Sequence, residues 1–148
     1  MPLPIDPTQV TGEDIGEEVA TLEMGHDAAI EHVRTICEEE GFGIPVEFSP
    51  ADLLNEKVDA DRDPYYVLGA CNPAMANRAL DESLDIGALF PCNVIIRQRE
   101  PDVQEVYHVS IMRIARLVGM APDTAAWEAL VADTGELVDA IFARLRET

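Results

Sequence analysis

Lysine is almost missing from this chain, and positive charge is scarce in general. Lys57 and nine arginines stand against 29 acidic residues, which leaves a formal net charge of −19 over 148 residues. A surface this negative repels phosphate backbones and anionic lipid headgroups. We therefore expect no nucleic acid partner and no membrane partner.

Long apolar runs, a leader segment and paired cysteines are also missing. No stretch approaches the roughly 18 consecutive apolar residues of a membrane helix, and the N-terminus lacks a charged and then apolar signal region. The three cysteines have neither the spacing of a zinc finger nor the density of a disulfide scaffold. We expect a cytoplasmic protein with reduced thiols and with no bound metal or cofactor.

The acidic composition also indicates a habitat. Repulsion between many surface carboxylates is relieved by concentrated counterions, because the screening length falls to about 3 Å near 1 M salt. Abundant alanine, one lysine and 5% aromatic residues accompany the acids. This combination resembles a haloarchaeal protein, and an ordinary acidic bacterial protein is the alternative.

The chain has the length and composition of one folded domain. With 47% apolar residues, 148 residues can bury a core without disulfides or metals. Residues 1–16 contain three prolines and two glycines with little periodicity, which predicts a flexible N-terminal arm. Residues 17–148 are predicted to form a single α+β domain.

Hydrophobic periodicity in that domain alternates between strand and helix patterns. Strands are predicted over Glu17 to Met24, Phe42 to Phe48, Tyr65 to Cys71, Cys92 to Arg99 and Val103 to Val109. Helices are predicted to begin at the caps Asp27, Ser49, Asn72, Ser110 and Asp123. A hairpin at Pro101, with long helices at both ends of the domain, predicts a curved antiparallel sheet of about five strands with helices packed on one face.

A Cys-Asn dipeptide occurs twice, as Cys71-Asn72 where the third strand ends and as Cys92-Asn93 where the fourth begins. Asn72 is followed by Pro73 and is predicted to cap a helix, so Cys71 lies at a helix N-terminus, where a thiolate is favoured. Free cysteine is also among the most often buried residues, and a packing role stays open. The two thiols can meet only if the third and fourth strands are neighbours with matched ends.

The candidate thiol site comprises both dipeptides and one histidine, namely Cys71, Asn72, Cys92, Asn93 and His108. Two cysteines and a histidine can bind zinc or copper, but the chain has no close ligand pair of the kind found in structural zinc sites. A nucleophilic cysteine needs a histidine within hydrogen-bond reach, and Cys71 with His108 and Asn93 could meet this requirement.

The face of the sheet on which His108 lies depends on the register of the hairpin. Pairing of Arg99 with Gln104 would place His108 opposite Ile95. A register changed by one residue would place it opposite Val94 or Ile96 and so on the other face of the sheet.

A candidate ligand pocket between sheet and helices is predicted from Tyr65, Tyr66, Tyr107 and Arg97. Tyrosines supply an aromatic, partly polar surface, and arginine recognises carboxylates and phosphates. Cross-strand packing of the tyrosines and a surface ion pair of Arg97 remain the alternatives.

Four short motifs resemble the domain of unknown function 302 family. They are Glu40-Gly41-Phe42-Gly43, Tyr66-Val67-Leu68-Gly69-Ala70-Cys71-Asn72-Pro73, Ile86-Gly87-Ala88-Leu89 and Phe90-Pro91-Cys92-Asn93-Val94. The resemblance covers about Glu17 to Thr148 and implies an α+β domain, a curved antiparallel sheet backed by helices, and a homodimer. It implies no established reaction. The family pattern has Asp-Pro after the fifth strand, where this chain has Ser110-Ile111.

Two functions remain open at this point. In the first, the chain is a noncatalytic, dimeric module that binds or senses a small molecule, and the Cys-Asn pairs are structural. In the second, it is a thiol-dependent redox or metal-binding protein in which Cys71 and Cys92 act together. We favour the first.

Overall fold

A computed structural model of the chain describes residues 4–148, and residues 1–3 of the predicted arm lie outside this range. The strands are β1 (Glu18–Leu22), β2 (Gly43–Phe48), β3 (Tyr65–Cys71), β4 (Cys92–Glu100) and β5 (Val103–His108). The α-helices are α1 (His26–Glu39), α2 (Pro50–Lys57), α3 (Pro73–Glu82), α4 (Ile111–Leu117) and α5 (Ala125–Arg146). Two short 3-10 helices cover Pro7–Gln9 and Leu84–Leu89. No helix within residues 4–148 is long and apolar enough to cross a membrane.

The strands form one open antiparallel sheet in the order β1-β5-β4-β3-β2. Helices α1 and α5 pack on one face. The apolar side chains of that face are almost fully buried, and they include Ala20, Leu22, Leu68, Val94, Ile96 and Val106. The predicted α+β fold, with its antiparallel sheet and helices on one face, is therefore confirmed.

The register of the β4–β5 hairpin changes once along its length. Glu100 pairs with Val103, but Gln98 pairs with Gln104, so Arg99 is the extra residue of a β-bulge. Of the registers left open, the pairing of Arg99 with Gln104, which would place His108 opposite Ile95, does not occur because of this bulge. His108 lies opposite Val94, on the buried face.

Side chains cap several helices as predicted. Ser49, Asn72 and Ser110 each accept a hydrogen bond from the backbone N–H three residues later. Two predicted caps are wrong. Asp27 lies inside the first turn of α1, whose cap is Gly25, and the Thr124 hydroxyl caps α5 in place of Asp123 by accepting from the Trp127 N–H at 3.2 Å.

A second apolar cluster joins α3, α4, α5 and the 3-10 helix Leu84–Leu89. Its centre is Trp127, which has no exposed surface and donates through Nε1 to the Met112 carbonyl at 3.1 Å. This cluster packs the first turn of α4 against the first two turns of α5.

The sheet face away from α1 and α5 carries an apolar row across all five strands. Directly opposed residues share a face, and the ladders connect Val19, Tyr107, Ile95, Val67 and Phe48 in this order. Val19 is 39% exposed and Phe48 is 48% exposed. We call this row the outer belt.

Candidate functional site

A cavity of about 450 Å³ lies at one end of the sheet. It lies where β3 and β5 end and where β1 and β4 begin, and the first turns of α3 and α4 and the middle of α5 complete it. Most of its wall is apolar, with contributions from Phe42, Met75, Phe90, Ile111, Met112 and Val138. Its size and lining are those of pockets that bind small molecules.

Close packing of Pro91 on Gly69 forms part of this end of the sheet. A β-carbon on Gly69 would lie 2.6 Å from Pro91 Cγ and 2.9 Å from the Val46 carbonyl oxygen. Pro91 follows Phe90 through a cis peptide bond, and both residues line the cavity. The Leu-Gly-Ala and Phe-Pro-Cys motifs are therefore two sides of one contact.

Both thiols of the candidate site line the cavity. Strands β3 and β4 are neighbours with matched ends, and Ala70 pairs with Cys92. Burial, and to a smaller extent the nearby charge of Cys71, raises the pKa of Cys92 to about 11. Cys92 is therefore a protonated thiol at neutral pH, while Cys71 is half-buried directly before the cap of α3.

The two asparagines of the repeated dipeptide act in different ways. Asn72 Oδ1 accepts from the Met75 N–H at 3.1 Å, and its Nδ2 donates to the Gly41 carbonyl at 3.2 Å. Asn93 is exposed, and its backbone carbonyl accepts a hydrogen bond from His108 Nδ1 at 2.8 Å. Asn72 contributes through its side chain, whereas Asn93 contributes through its backbone.

His108 is the most deeply buried polar side chain of the cavity wall, with 4% of its surface exposed. A carbonyl can only accept, so Nδ1 must carry the proton in its bond to Asn93, and Nε2 of the neutral ring is left with a lone pair. Burial lowers the pKa of His108, which favours this neutral form.

Two carboxyl groups lie beside the histidine. Glu18 on β1 is the direct partner of His108 in the β1–β5 ladder. Asp139 of α5 hydrogen-bonds to Glu18, and both residues line the cavity. Partial burial, the hydrogen bond and the charge of Glu18 raise the pKa of Asp139. Glu18 also pairs with Arg146 at 2.5 Å.

The residues of the predicted ligand pocket lie elsewhere, and none of the four is among the described residues that line the cavity. Tyr65, Tyr107 and Arg97 are on the face of the outer belt, where Arg97 pairs with Glu105 at 2.7 Å. Tyr66 faces the helices, but its hydroxyl donates to Glu47 at 2.6 Å. The tyrosine pattern identified strands correctly and did not identify which face is covered.

The sequence reasoning missed Glu18 and Asp139. Glu18 is in phase with the buried residues Ala20 and Leu22, and an acid at an inward strand position was the available signal. Gly135 was a second signal, because a glycine inside a helical pattern often has a packing or functional reason. In the structure it lies inside α5 and lines the cavity, and a β-carbon there would meet nothing within 4 Å.

No three or more histidine, cysteine, aspartate or glutamate side chains within residues 4–148 are grouped so that they could hold a metal ion. What the site offers chemically is an apolar chamber with a thiol, an imidazole lone pair and a carboxyl pair at its polar end.

Comparison with known proteins identifies a family for this chain but does not indicate an activity. The family model described as "Domain of unknown function DUF302" matches residues 18–145. No curated protein matches the chain. The crystal structure of an uncharacterised conserved DUF302 protein from Bacillus stearothermophilus is similar, with a TM-score of 0.76 and 25% identity over 89% of this chain and 99% of that one. The chain belongs to the DUF302 family of domains of unknown function.

Proposed function

We propose that this chain is a noncatalytic, dimeric module that binds or senses a small molecule in the cavity at the end of the sheet. The observation that carries this proposal is the cavity itself, about 450 Å³ with a mostly apolar wall and a few polar groups at one end. The raised pKa of Cys92, about 11, supports a role without a thiolate nucleophile.

Filling the cavity from α5 tests ligand binding. Gly135→Leu directs a side chain into open space within the cavity, and Gly87→Leu is the matched control, because a β-carbon there also meets nothing within 4 Å but the residue does not line the cavity. The probe is the neutral dye phenylnaphthylamine, whose fluorescence rises in apolar sites. We expect saturable binding that Gly135→Leu weakens at least tenfold and Gly87→Leu leaves unchanged. Equal binding by both variants, or no saturable binding, would contradict the proposal.

The outer belt is the proposed dimer interface, and a second copy of the chain is its proposed partner. The belt is apolar across the width of the sheet, and the two arginines beside it, Arg97 and Arg99, share the carboxylate of Glu105. A copy related by a two-fold axis could therefore bury the belt while each of these arginines stays in contact with a carboxylate.

The dimer is tested by light scattering of the protein and two variants. Phe48→Glu places a charge in the outer belt, whereas Val118→Glu places the same charge at a residue of similar exposure after α4, 55% against 48%. We expect a dimer for the wild type and for Val118→Glu, and a monomer for Phe48→Glu. A monomeric wild type would refute the interface.

A thiol-dependent protein is the second candidate, because Cys71 and Cys92 line the same cavity. This function predicts that a mild disulfide reagent links Cys71 to Cys92 in the folded protein, with loss of both free thiols and no change in oligomeric state. The binding function predicts that Cys92 labels with a thiol reagent far more slowly than Cys71 at neutral pH.

A halophilic, cytoplasmic habitat is part of the proposal. Its support is the net charge of −19 with one lysine, since such a surface is stable and soluble where counterions are concentrated.

A further inference from the structure

The polar end of the cavity is rich in groups that accept hydrogen bonds. Four carboxylates line the cavity, namely Glu13, Glu17, Glu18 and Asp139. Arg113 is the one arginine or lysine among the described lining residues, and the charges of Asp14 and Asp139 lie close to it. Arg146 is not a lining residue but pairs with Glu18 at 2.5 Å. Four carboxylates against these two arginines still leave the site net negative, which favours a positively charged ligand.

One ring nitrogen of the buried residue His108 has no protein donor. Nδ1 of His108 is used by the Asn93 carbonyl, and no hydrogen bond to Nε2 occurs within the part of the chain that the structure describes. No buried side-chain nitrogen or oxygen in that part is both unpartnered and closed off from solvent, so Nε2 opens to the cavity. An acceptor in such a place favours a ligand that brings an N–H or O–H donor.

The imidazole of His108 and the carboxyl pair are neighbours in the cavity wall. Glu18 is directly opposite His108 on β1, so their β-carbons are about 4.5–5.5 Å apart. Asp139 hydrogen-bonds to Glu18 from α5. Glu18, Asp139 and His108 are not grouped closely enough to hold a metal ion. An ammonium group has three donors that point in different directions, so it suits three acceptors on different elements.

We propose that the cavity binds primary amines with an apolar body, and that the ammonium group donates hydrogen bonds to Glu18, Asp139 and His108 Nε2. The apolar body lies against Phe42, Phe90 and Met112 in the interior of the cavity. This proposal rests on the proposed function and adds the chemical class of the ligand.

Three ligands with one body and different head groups test the class. Hexylamine, hexanol and hexanoate are titrated into the full chain by calorimetry, at a salt concentration at which Trp127 emission reports folded protein. We expect hexylamine to bind at least tenfold more tightly than hexanol, and hexanoate to bind most weakly. Hexanoate as the tightest ligand would assign the head-group site to Arg113 and overturn the proposal.

Variants on α5 separate a specific contact from general electrostatics. Asp139→Asn is expected to weaken hexylamine at least tenfold and to leave hexanol within twofold. Asp133→Asn removes the same charge from the exposed side of α5, where Asp133 pairs with Arg78 at 2.7 Å, and is expected to leave both affinities unchanged. Glu18→Gln provides a second test of the pair if Asp139→Asn unfolds. Hexanol binding without an amine preference would refute only the ligand class, whereas failure of all three ligands would refute the proposed function as well.

Discussion

The contact of Pro91 with Gly69 makes Gly69→Ala a quantitative test of how the cavity end is built. The new β-carbon would lie 2.6 Å from Pro91 Cγ, whereas carbon atoms prefer about 3.5–4.0 Å, so the ring must move by roughly 1 Å. The Val46 carbonyl, 2.9 Å away, blocks movement of the new methyl group toward β2. Overpacking of this kind costs about 1–3 kcal/mol, and the lower entropy of the unfolded alanine variant offsets about 0.4–1 kcal/mol.

We therefore expect Gly69→Ala to lower the free energy of unfolding by about 1–2 kcal/mol. For a chain of this size that corresponds to a fall in melting temperature of roughly 2–8 °C. Trp127 is the only tryptophan and is fully buried, so its emission during urea unfolding reports the transition. Gly87→Ala is the control, because nothing lies within 4 Å of its new β-carbon. A Gly69→Ala protein as stable as the control would refute the packing argument.

Three further predictions concern capping, acid stability and salt. Asn72→Ala should destabilise by about 1–2 kcal/mol in urea unfolding, because the cap of α3 and the bond to Gly41 are both lost, while Asn93→Ala should stay within about 0.5 kcal/mol. The hydrogen bond from Arg34 lowers the pKa of Glu47 from 4.5 to about 2, so its contribution to stability is present above pH 4.5 and is lost as the pH falls toward 2. Glu47→Gln should flatten acid unfolding curves in that window, and an unchanged slope would argue against the pair. The melting temperature should fall when salt is lowered from molar to about 0.1 M, and a constant value would count against the halophilic habitat.

Local signals predicted the elements well because their causes are local. Asn72 followed by Pro73 contains both a cap and a residue suited to the first helical turn, and α3 begins at Pro73. Where two adjacent residues could both cap a helix, the sequence pattern did not determine which of them is the cap. Asp123 and Thr124 are both good caps, and the helix begins after Thr124, whose backbone is extended.

Features that depend on distant residues were not predictable in the same way. The bulge at Arg99 shifts the register of β4 by one residue and determines that His108 faces the helices. The cavity requires β1, β5 and α5 to meet, and these elements are far apart in sequence, so the approach of Asp139 to Glu18 has no signature in either local pattern. Tyr107 shows the same limit. The alternation of residues around it predicted a strand but could not specify which face of the sheet the helices cover.

The repeated Cys-Asn dipeptide gains its meaning from the way in which β3 and β4 pair. In an antiparallel pair, the end of one strand meets the start of the next, so Cys71-Asn72 and Cys92-Asn93 lie at the same end of the sheet. At Asn72 the chain leaves the sheet and enters a helix, and the side chain of Asn72 caps that helix. At Asn93 the chain continues along β4, and the backbone carbonyl of Asn93 accepts a hydrogen bond from His108. The sequence repeat therefore reflects a shared location at the cavity rather than two copies of one chemical device, and the polar end of the cavity is formed by residues outside the repeat.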